Sequence, residues 1–290
     1  MSREDRAMAR GLLERGKVGQ PAEELRADFN GRFEALPLGD DVTLTPCTLA
    51  GVPGLDVDVD GATGDGVILY LHGGAYAVGT ARTGANLAAP LARRVGVPAV
   101  SLEYRLAPEH PFPAAVDDAL AAYRELVASG QNVVLAGDSA GGGLALATLL
   151  AARRAGVQLP AGVVLFSPWT DLTLSGASMD AENDPLFTRA HLAEPAAQYL
   201  GDADPRDELA SPLLADLTGL PPLLVQVGSA EILLDDSLRL VARAAAAEVD
   251  VSLDVVAGAP HVFQYFAGML PEADEALDHA AAFLKARLAG

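Results

Sequence analysis

Short runs of apolar and β-branched residues alternate along the chain with longer segments whose apolar residues recur every three or four positions. Runs of the first kind are typical of buried strands, and segments of the second kind are typical of helices. Their alternation predicts an α/β fold, in which a mostly parallel sheet has helices on both faces. The predicted strands are residues 42–49, 55–60, 67–71, 97–102, 132–136, 162–166, 223–227 and 251–256.

The spacing of these strands indicates how they are connected. The first two are close enough in the chain to form an antiparallel hairpin, with its turn around residues 51–54. The later strands are separated by helical segments, and such crossovers join parallel strands. The last helix should pack one apolar face on the sheet, and this face comprises Ala273, Ala276, Leu277, Ala280, Leu284 and Leu288.

Residues 1–38 precede the first strand and do not fit the alternation. They predict two helices, and in the second helix Leu25, Phe29 and Phe33 recur every four positions and form one apolar stripe. We expect these N-terminal helices to belong to a cap. Residues 39–290 then form the main α/β domain.

A second departure is the connection at residues 168–221, which is far longer than the usual link between core elements. Its helical stretch, Arg189–Leu200, lies between proline-rich turns and favours an ordered insertion. We expect this insertion to form the rest of the cap and to pack with the N-terminal helices over the carboxyl ends of the strands. That edge is where open α/β sheets bind their ligands.

Composition limits the classes of function. The chain has 290 residues, half of them apolar, which is enough for one large domain. With 39 acidic and 20 basic residues its net charge is −19, so we expect no binding to nucleic acid or to anionic membranes. The single cysteine, Cys47, excludes an intramolecular disulfide and a cysteine metal cluster. Charged residues at the N-terminus, and a longest apolar stretch of only residues 141–152, predict a soluble cytoplasmic protein.

The sequence Gly-Asp-Ser-Ala-Gly at residues 137–141 carries the strongest chemical signal. It follows a predicted strand and opens an Ala- and Leu-rich helix at 142–154, which is the context that a nucleophile elbow requires. The glycines permit the sharp turn that lifts a hydroxyl above the sheet, and the helix N-terminus favours developing negative charge. We interpret Ser139 as a nucleophile; the alternative is an ordinary glycine-rich turn.

The sequence His-Gly-Gly-Ala-Tyr at residues 72–76 directly follows an earlier predicted strand. Backbone N–H groups on a turn of small residues can point at an oxyanion. We expect the N–H groups of Gly74, Ala75 and Ala140 to form an oxyanion hole, with Gly73 beside them shaping the turn.

A serine nucleophile needs a general base on a loop at the same edge of the sheet. His261 lies between the last predicted strand and the last helix, which fits the chain order serine, acid, histidine. We expect structural, surface or packing roles for the other histidines, which are His72 before the glycine turn, His110 in a proline-rich loop, His191 in the insertion and His279 in the last helix.

The acid that orients this histidine must come from the loop after the strand at 223–227. That loop holds Glu231, Asp235 and Asp236. Glu231 lies inside the short loop, whereas the two aspartates come just before a predicted helix, where acids cap free N–H groups. We therefore favour Glu231 and keep Asp235 and Asp236 as the alternatives.

Four sequence blocks together resemble the bacterial hormone-sensitive-lipase-like family of esterases, over roughly residues 65–288. The resemblance implies an α/β-hydrolase fold with an eight-stranded sheet and a helical cap. It also implies hydrolysis of short-acyl esters without a cofactor or metal, and often a dimer. The blocks are HGGAY at 72–76, EYRLAPE at 103–109, GDSAGG at 137–142 and GAPHVF at 258–263.

The chain departs from the family pattern at two of these positions. Ala75 stands where a third glycine is usual, and a backbone donor survives that change. Glu231 stands where aspartate is usual, in the same loop as the family's acid. In the EYRLAPE block, we expect Glu103 and Arg105 to be hydrogen-bonded or paired in a buried loop and to have a structural role.

These signals predict a serine carboxylesterase that acts on small esters through Ser139, His261 and Glu231. A lactonase or an acyltransferase would use the same residues and differ only in the group that accepts or forms the acyl. A non-catalytic binding protein of the same fold is a further alternative, disfavoured because every catalytic role has a candidate.

Overall fold

The computed structural model of the protein describes residue 20 and residues 22–290. In this part of the chain eight strands form one sheet. They are β1 (Val42–Leu49), β2 (Val52–Val59), β3 (Val67–Leu71), β4 (Ala99–Leu102), β5 (Val133–Asp138), β6 (Val163–Phe166), β7 (Leu223–Gly228) and β8 (Val251–Val256).

The strands lie in the order β1-β2-β4-β3-β5-β6-β7-β8. β2 is antiparallel to both β1 and β4, and every other neighbouring pair is parallel. The predicted α/β fold with a mostly parallel eight-stranded sheet is therefore confirmed. The carboxyl ends of β3, β5, β6, β7 and β8 meet at one edge of the sheet, because these strands run in the same direction.

Helices account for most of the remaining regular structure. The α-helices of the described residues are α1 (Ala22–Glu34), α2 (Ala81–Val95), α3 (Ala114–Ala128), α4 (Ala140–Arg154), α5 (Arg189–Leu200), α6 (Leu234–Ala246) and α7 (Pro271–Leu288). Short 3₁₀ helices lie at Ala177–Asp180, Pro212–Leu214 and Phe263–Phe266.

The hairpin between β1 and β2 differs from its prediction. β2 begins at Val52, which pairs with Leu49, so the turn consists of Ala50 and Gly51, at φ 50° and 85°. The predicted turn around residues 51–54 was therefore wrong in its bounds. Pro53 lies inside β2 although proline has no N–H group to donate to a neighbouring strand. It is accommodated because β2 pairs with β4 only from Gly54 onward.

Alternate side chains of the central strands enter two cores on opposite faces of the sheet. In β3, Leu69 and Leu71 join a core with α3, α4 and α6. Ile68 and Tyr70 join a second core with α2 and α7. The central strands β3, β5, β6 and β7 are buried along their whole length, which explains why they appear in the sequence as continuous apolar runs.

The helix α1 corresponds to the second of the two predicted N-terminal helices; the first falls outside the described residues. Its predicted apolar stripe is half-buried at Leu25, Phe29 and Phe33. The rings of Phe29 and Phe33 stack with centroids 4.5 Å apart, and Phe33 meets Tyr265 edge-on at 5.0 Å. The stripe thus packs on the segment that follows β8.

Residues 168–221 connect β6 to β7, and we call them the β6–β7 connection. They contain α5 at its predicted bounds. Tyr199 of α5 stacks on Tyr76, with centroids 3.8 Å apart, while Arg26 of α1 donates to the Ala77 carbonyl at 2.7 Å. Both segments therefore contact the turn that follows β3. None of the helices in the described range is long and apolar enough to cross a membrane.

Candidate active site

Ser139 lies in a sharp turn between β5 and α4. Its backbone angles, φ 54° and ψ −121°, are outside the regions that side-chain-bearing residues usually adopt. Hydrogen bonds hold the turn on both sides: the Ser139 N–H donates to the Phe166 carbonyl at 2.8 Å, and its carbonyl accepts from the Trp169 N–H at 2.9 Å. The Ser139 side chain stays partly exposed although its neighbours are buried. This is the geometry of a nucleophile elbow.

Close backbone contacts explain the small residues around Ser139. A Cβ atom at Gly141 would lie 2.0 Å from the Leu71 carbonyl oxygen, and one at Gly137 would lie 2.4 Å from the Gly141 carbonyl oxygen. Both distances are far below a van der Waals contact. A side chain at Gly141 would push the elbow away from β3, and one at Gly137 would push the start of α4 away from β5. The elbow therefore depends on both glycines of the motif.

The turn after β3 lies beside this elbow. Gly74, Ala75 and Tyr76 all have positive φ angles, of 124°, 53° and 60°. Within the described residues, no hydrogen-bond acceptor is found for the N–H groups of Gly74, Ala75 and Ala140. Gly74 and Ala75 are also partly exposed. These three donors are therefore available to a bound group.

The Gly73 N–H is engaged elsewhere, because it donates to Oδ1 of Asp138 at 2.9 Å. Tyr70 donates to the same oxygen at 2.8 Å, and Tyr265 donates to Oδ2 at 3.3 Å. Burial raises the pKa of Asp138 to about 6, although these hydrogen bonds and the charge of His261 act in the opposite direction. One buried carboxyl thus links the elbow, the β3 turn and the segment after β8.

His261 and Glu231 form a buried pair. His261 Nδ1 lies 3.0 Å from Glu231 Oε1, and their side chains are 7% and 0% exposed. Because a carboxylate can only accept, Nδ1 is the donor, and Nε2 of the imidazole is left to act as an acceptor. The pair joins the loop after β7 to the loop after β8.

Ser167 and Gly228 hold the second oxygen of Glu231. The Ser167 hydroxyl donates to Oε2 at 2.8 Å, and the Gly228 N–H donates to it at 3.0 Å. The Ser167 oxygen also accepts from the Val262 N–H at 3.1 Å. Sequence reasoning missed Ser167, because nothing in the local pattern around β6 distinguishes it from a core serine.

The charges around His261 favour its protonated form. Burial by itself lowers the pKa of His261, but the charge and hydrogen bond of Glu231, with the charges of Asp184 and Asp138, outweigh burial and raise it. An imidazole in this setting is a stronger base than a free one, and its cation is stabilised once it forms.

Asp235 and Asp236 bind the β6–β7 connection. Asp236 Oδ2 accepts from the N–H groups of Thr170 and Asp171, at 2.8 Å and 3.0 Å. Asp235 Oδ2 accepts from the Ala177 N–H at 2.9 Å. The expectation that these acids cap their own helix was wrong, because both carboxylates accept from N–H groups of the connection, and the Asp235 N–H at the start of α6 donates to the Ser178 hydroxyl at 2.9 Å. Residues far along the chain supply the N–H groups instead.

In the EYRLAPE block the expected pairing is found, but the prediction of a buried loop was wrong, because Arg105, Pro108 and Glu109 are exposed. Arg105 forms a bidentate pair with Asp118, with distances of 2.7 Å to Oδ1 and 2.8 Å to Oδ2. Glu103 accepts a hydrogen bond from the Ala81 N–H at the start of α2. His72 is buried and stacks on Tyr104, with ring centroids 4.3 Å apart, and burial lowers its pKa to about 4. Of this block, Tyr104 is the residue that holds His72 at the start of the β3 turn, since its hydroxyl also donates to the His72 carbonyl at 2.6 Å.

In the described part of the chain, no group of three or more histidine, cysteine, aspartate or glutamate side chains could hold a metal ion. The acids near Ser139 are instead hydrogen-bonded to backbone and side-chain donors.

Comparison with known proteins gives a consistent picture. A family model described as the α/β hydrolase fold matches residues 68–265. An acetyl-hydrolase of Streptomyces hygroscopicus is 45% identical over 86% of this chain and 83% of its own length. An esterase of Acinetobacter venetianus is 39% identical over 89% of this chain and 87% of its own. The crystal structure of an esterase from the bacterial hormone-sensitive lipase family superposes with a TM-score of 0.95, at 41% identity, over 99% of both chains.

Proposed function

This chain belongs to the α/β-hydrolase esterases of the bacterial hormone-sensitive lipase family, and on that premise we propose that Ser139, His261 and Glu231 are its catalytic triad. The protein is a carboxylic ester hydrolase of the serine type, acting on small-molecule esters. The observation that carries the triad is the 3.0 Å contact of His261 Nδ1 with Glu231, because it leaves Nε2 free to take a proton from a serine.

Hydrolysis then proceeds in two halves. His261 takes the proton of Ser139 as the hydroxyl oxygen attacks the ester carbonyl, and Glu231 stabilises the imidazolium that forms. The same proton goes to the departing alcohol, which leaves an acyl group on Ser139. Water, deprotonated by His261, attacks this acyl-enzyme and releases the carboxylic acid.

We assign the oxyanion hole to the N–H groups of Gly74, Ala75 and Ala140. Each donor is expected to contribute about 3 kcal/mol to the stability of the transition state. Their availability within the described residues supports this assignment, and so does their position on the β3 turn and at the start of α4. Gly73 shapes the turn and is held by Asp138.

We infer that residues 1–38 and 168–221 form a cap over this site. Support comes from α1 and α5, which both contact the turn carrying the proposed oxyanion hole, and from Phe187, which meets His261 edge-on at 5.2 Å. An aromatic side chain this close to the proposed base restricts the space beside it to small acyl groups. Acetate and butyrate esters are therefore the expected substrates. The name of the acetyl-hydrolase relative is consistent with that preference.

We further propose that the protein works in the cytoplasm as a homodimer and does not bind nucleic acid. The net charge of −19 supports the last point. Support for the dimer comes from β8, an edge strand on which Val255 is 45% exposed, and from Met269, which is 50% exposed. Light scattering on the purified protein tests the dimer.

The triad is tested by replacing its nucleophile. Purified protein should hydrolyse p-nitrophenyl butyrate without added metal, and Ser139→Ala should remove nearly all of this activity while circular dichroism and thermal melting stay unchanged. Ser129→Ala, which removes an exposed hydroxyl at the end of α3, is the matched control. A panel of lactones, amides and alcohol acceptors separates esterase from lactonase and acyltransferase activity. An unchanged rate in Ser139→Ala would refute the triad.

A further inference from the structure

Asp184 lies in the β6–β7 connection shortly before α5, and its side chain is buried at 1% exposure. Its Oδ1 accepts hydrogen bonds from the N–H groups of Leu186 at 2.6 Å and Phe187 at 2.9 Å. A carboxylate that bonds the N–H groups two and three residues ahead fixes a tight local turn. Asp184 therefore fixes the backbone conformation of the chain up to Phe187.

The other oxygen of Asp184 reaches a different part of the molecule. Oδ2 accepts from the N–H of Ile232 at 2.8 Å. Ile232 directly follows Glu231, whose side chain orients His261. One buried carboxylate thus joins the β6–β7 connection to the backbone beside the proposed acid, across 48 residues of sequence.

The turn that Asp184 fixes also touches His261 itself. The ring of Phe187 meets the imidazole at an interplanar angle of 85°, with centroids 5.2 Å apart. The segment from Asp184 to Phe187 therefore contacts His261 through a ring and, through the Asp184 carboxylate, the backbone of Ile232 next to Glu231. A segment that only enclosed the substrate would not need either contact.

Three acids act electrostatically on His261, and each comes from a different segment. Glu231 follows β7, Asp184 belongs to the β6–β7 connection, and Asp138 ends β5. Glu231 bonds His261 directly, and Asp138 is committed to Gly73, Tyr70 and Tyr265. Asp184 is the member of this set that lies on the proposed cap, so the cap adds negative potential at the proposed base.

We propose that Asp184 is a positioning residue that ties the cap to the His261–Glu231 pair, so that the cap sets the reactivity of the pair as well as enclosing the substrate. This inference rests on the proposed triad. It predicts that disturbing Asp184 changes the chemistry of a small ester, in addition to the stability of the fold.

Asp184→Asn separates the two contacts of this carboxylate. The amide oxygen can still accept from Leu186 and Phe187, but the amide nitrogen then faces the Ile232 N–H, and two donors cannot bond each other. The link to the acid's loop is broken and the negative charge is lost, while the local turn is kept. Asp184→Ser is a second variant, because a serine hydroxyl can support the same type of turn without reaching Ile232.

The measurement is the pH dependence of kcat and kcat/KM for p-nitrophenyl acetate, with folding checked by circular dichroism and thermal melting. The acid limb of kcat/KM reports the protonation of the free enzyme's base. Removing the charge of Asp184 should shift this limb to lower pH, because a nearby negative charge favours the imidazolium. We also expect kcat at the optimum to fall on the order of tenfold. Asp202→Asn, an exposed acid of the same connection, should leave both unchanged.

The outcomes distinguish this inference from the proposed function. A lower melting temperature with an unshifted acid limb and an unchanged kcat in both variants would overturn the positioning role and leave a structural one. If Ser139→Ala is inactive and the Asp184 variants behave as the parent enzyme, the triad stands and only the present inference fails. If Ser139→Ala remains active, the proposed function itself is wrong.

Discussion

The hydroxyl of Ser167 donates a 2.8 Å hydrogen bond to Oε2 of Glu231, and both residues are buried. The same hydroxyl oxygen accepts from the N–H of Val262, the residue after His261. One side chain at the end of β6 therefore holds the loop after β7 and the loop after β8 together. Ser167 adopts φ 46°, and the contacts on its hydroxyl compensate for that unfavourable backbone angle.

Ser167→Ala should lower kcat by roughly ten- to a hundredfold, because a hydrogen bond to a buried charged group contributes about 1.5–3 kcal/mol. Glu231 would keep the Gly228 N–H but lose its side-chain donor, and His261 would be less firmly oriented. KM for p-nitrophenyl butyrate should change little, since Ser167 is buried beneath the pair. Steady-state kinetics measure both constants.

The control for this variant is Ser237→Ala in α6. Ser237 is a buried serine whose hydroxyl has no hydrogen-bond partner among the described residues. Its removal should leave kcat near the parent value. Equal kcat values for Ser167→Ala and Ser237→Ala would show that Ser167 does not orient Glu231.

Asp138→Asn should change how stability depends on pH. The pKa of Asp138 is raised to about 6, so between its ordinary value and that value the folded state binds more protons than the unfolded state. The free energy of unfolding therefore falls as pH rises from about 4 to about 6, by an amount on the order of 3 kcal/mol for this group. Asparagine keeps an acceptor for Gly73 and removes the titration.

Urea unfolding at a series of pH values measures the difference between the parent and Asp138→Asn. The variant should gain stability relative to the parent as pH rises through this window, and the difference should level off above it. Two curves that run parallel from pH 4 to pH 7 would contradict the assignment of a raised pKa to Asp138.

The fold and the elbow could be predicted from the sequence because their signals are local. A buried strand, Gly137, Ser139 and Gly141, and an alanine-rich helix follow one another without interruption, and each strand carries its own apolar run. The hairpin turn was predicted around residues 51–54, whereas β2 already begins at Val52 and contains Pro53 outside its pairing with β4.

The contacts that support the site could not be predicted, because the sheet order brings their residues together from distant parts of the chain. Ser167 reaches Glu231 across 64 residues, and Gly73 reaches Asp138 across 65. Asp236 was interpreted through its own helix, whereas its carboxylate binds Thr170, 66 residues earlier. A periodic pattern contains no information on which loops meet at the edge of the sheet.

Arg26→Ala tests whether α1 supports the proposed oxyanion turn. The Arg26 guanidinium donates to the Ala77 carbonyl at 2.7 Å and to the Ala107 carbonyl at 2.6 Å, and it pairs with Glu109. Its loss should loosen the contact of α1 with the β3 turn, although the Asn30 acceptor for the Gly79 N–H remains, and should lower kcat/KM by roughly tenfold, since small displacements of catalytic donors are costly. Deleting residues 1–35 should have a larger effect, because it also exposes the surface under the apolar stripe.

Arg32→Ala is the control on the same helix. Arg32 is exposed, and its hydrogen bond goes to the Asp28 carbonyl within α1. The kcat/KM of Arg32→Ala should stay within roughly twofold of the parent value, as expected for a surface substitution. If the two arginine variants have the same kcat/KM, α1 does not act on the turn through Arg26.

The choice of acid is decided by three variants, Glu231→Gln, Asp235→Asn and Asp236→Asn. Glutamine keeps the size of Glu231 but removes the charge that stabilises the imidazolium, and its amide can donate where His261 needs an acceptor. Turnover should fall on the order of 10⁴-fold, as it does when the triad aspartate of a serine protease is replaced by asparagine.

Asp235→Asn should keep its activity, because Asp235 binds the Ala177 N–H and lies outside the His261 pair. Asp236→Asn should lose about 1–3 kcal/mol of stability, since a fully buried carboxylate there satisfies the N–H groups of two residues. Its rate per folded molecule, measured by kinetics together with urea unfolding, should stay near the parent value. An active Glu231→Gln beside an inactive, folded aspartate variant would move the role of the acid to that aspartate.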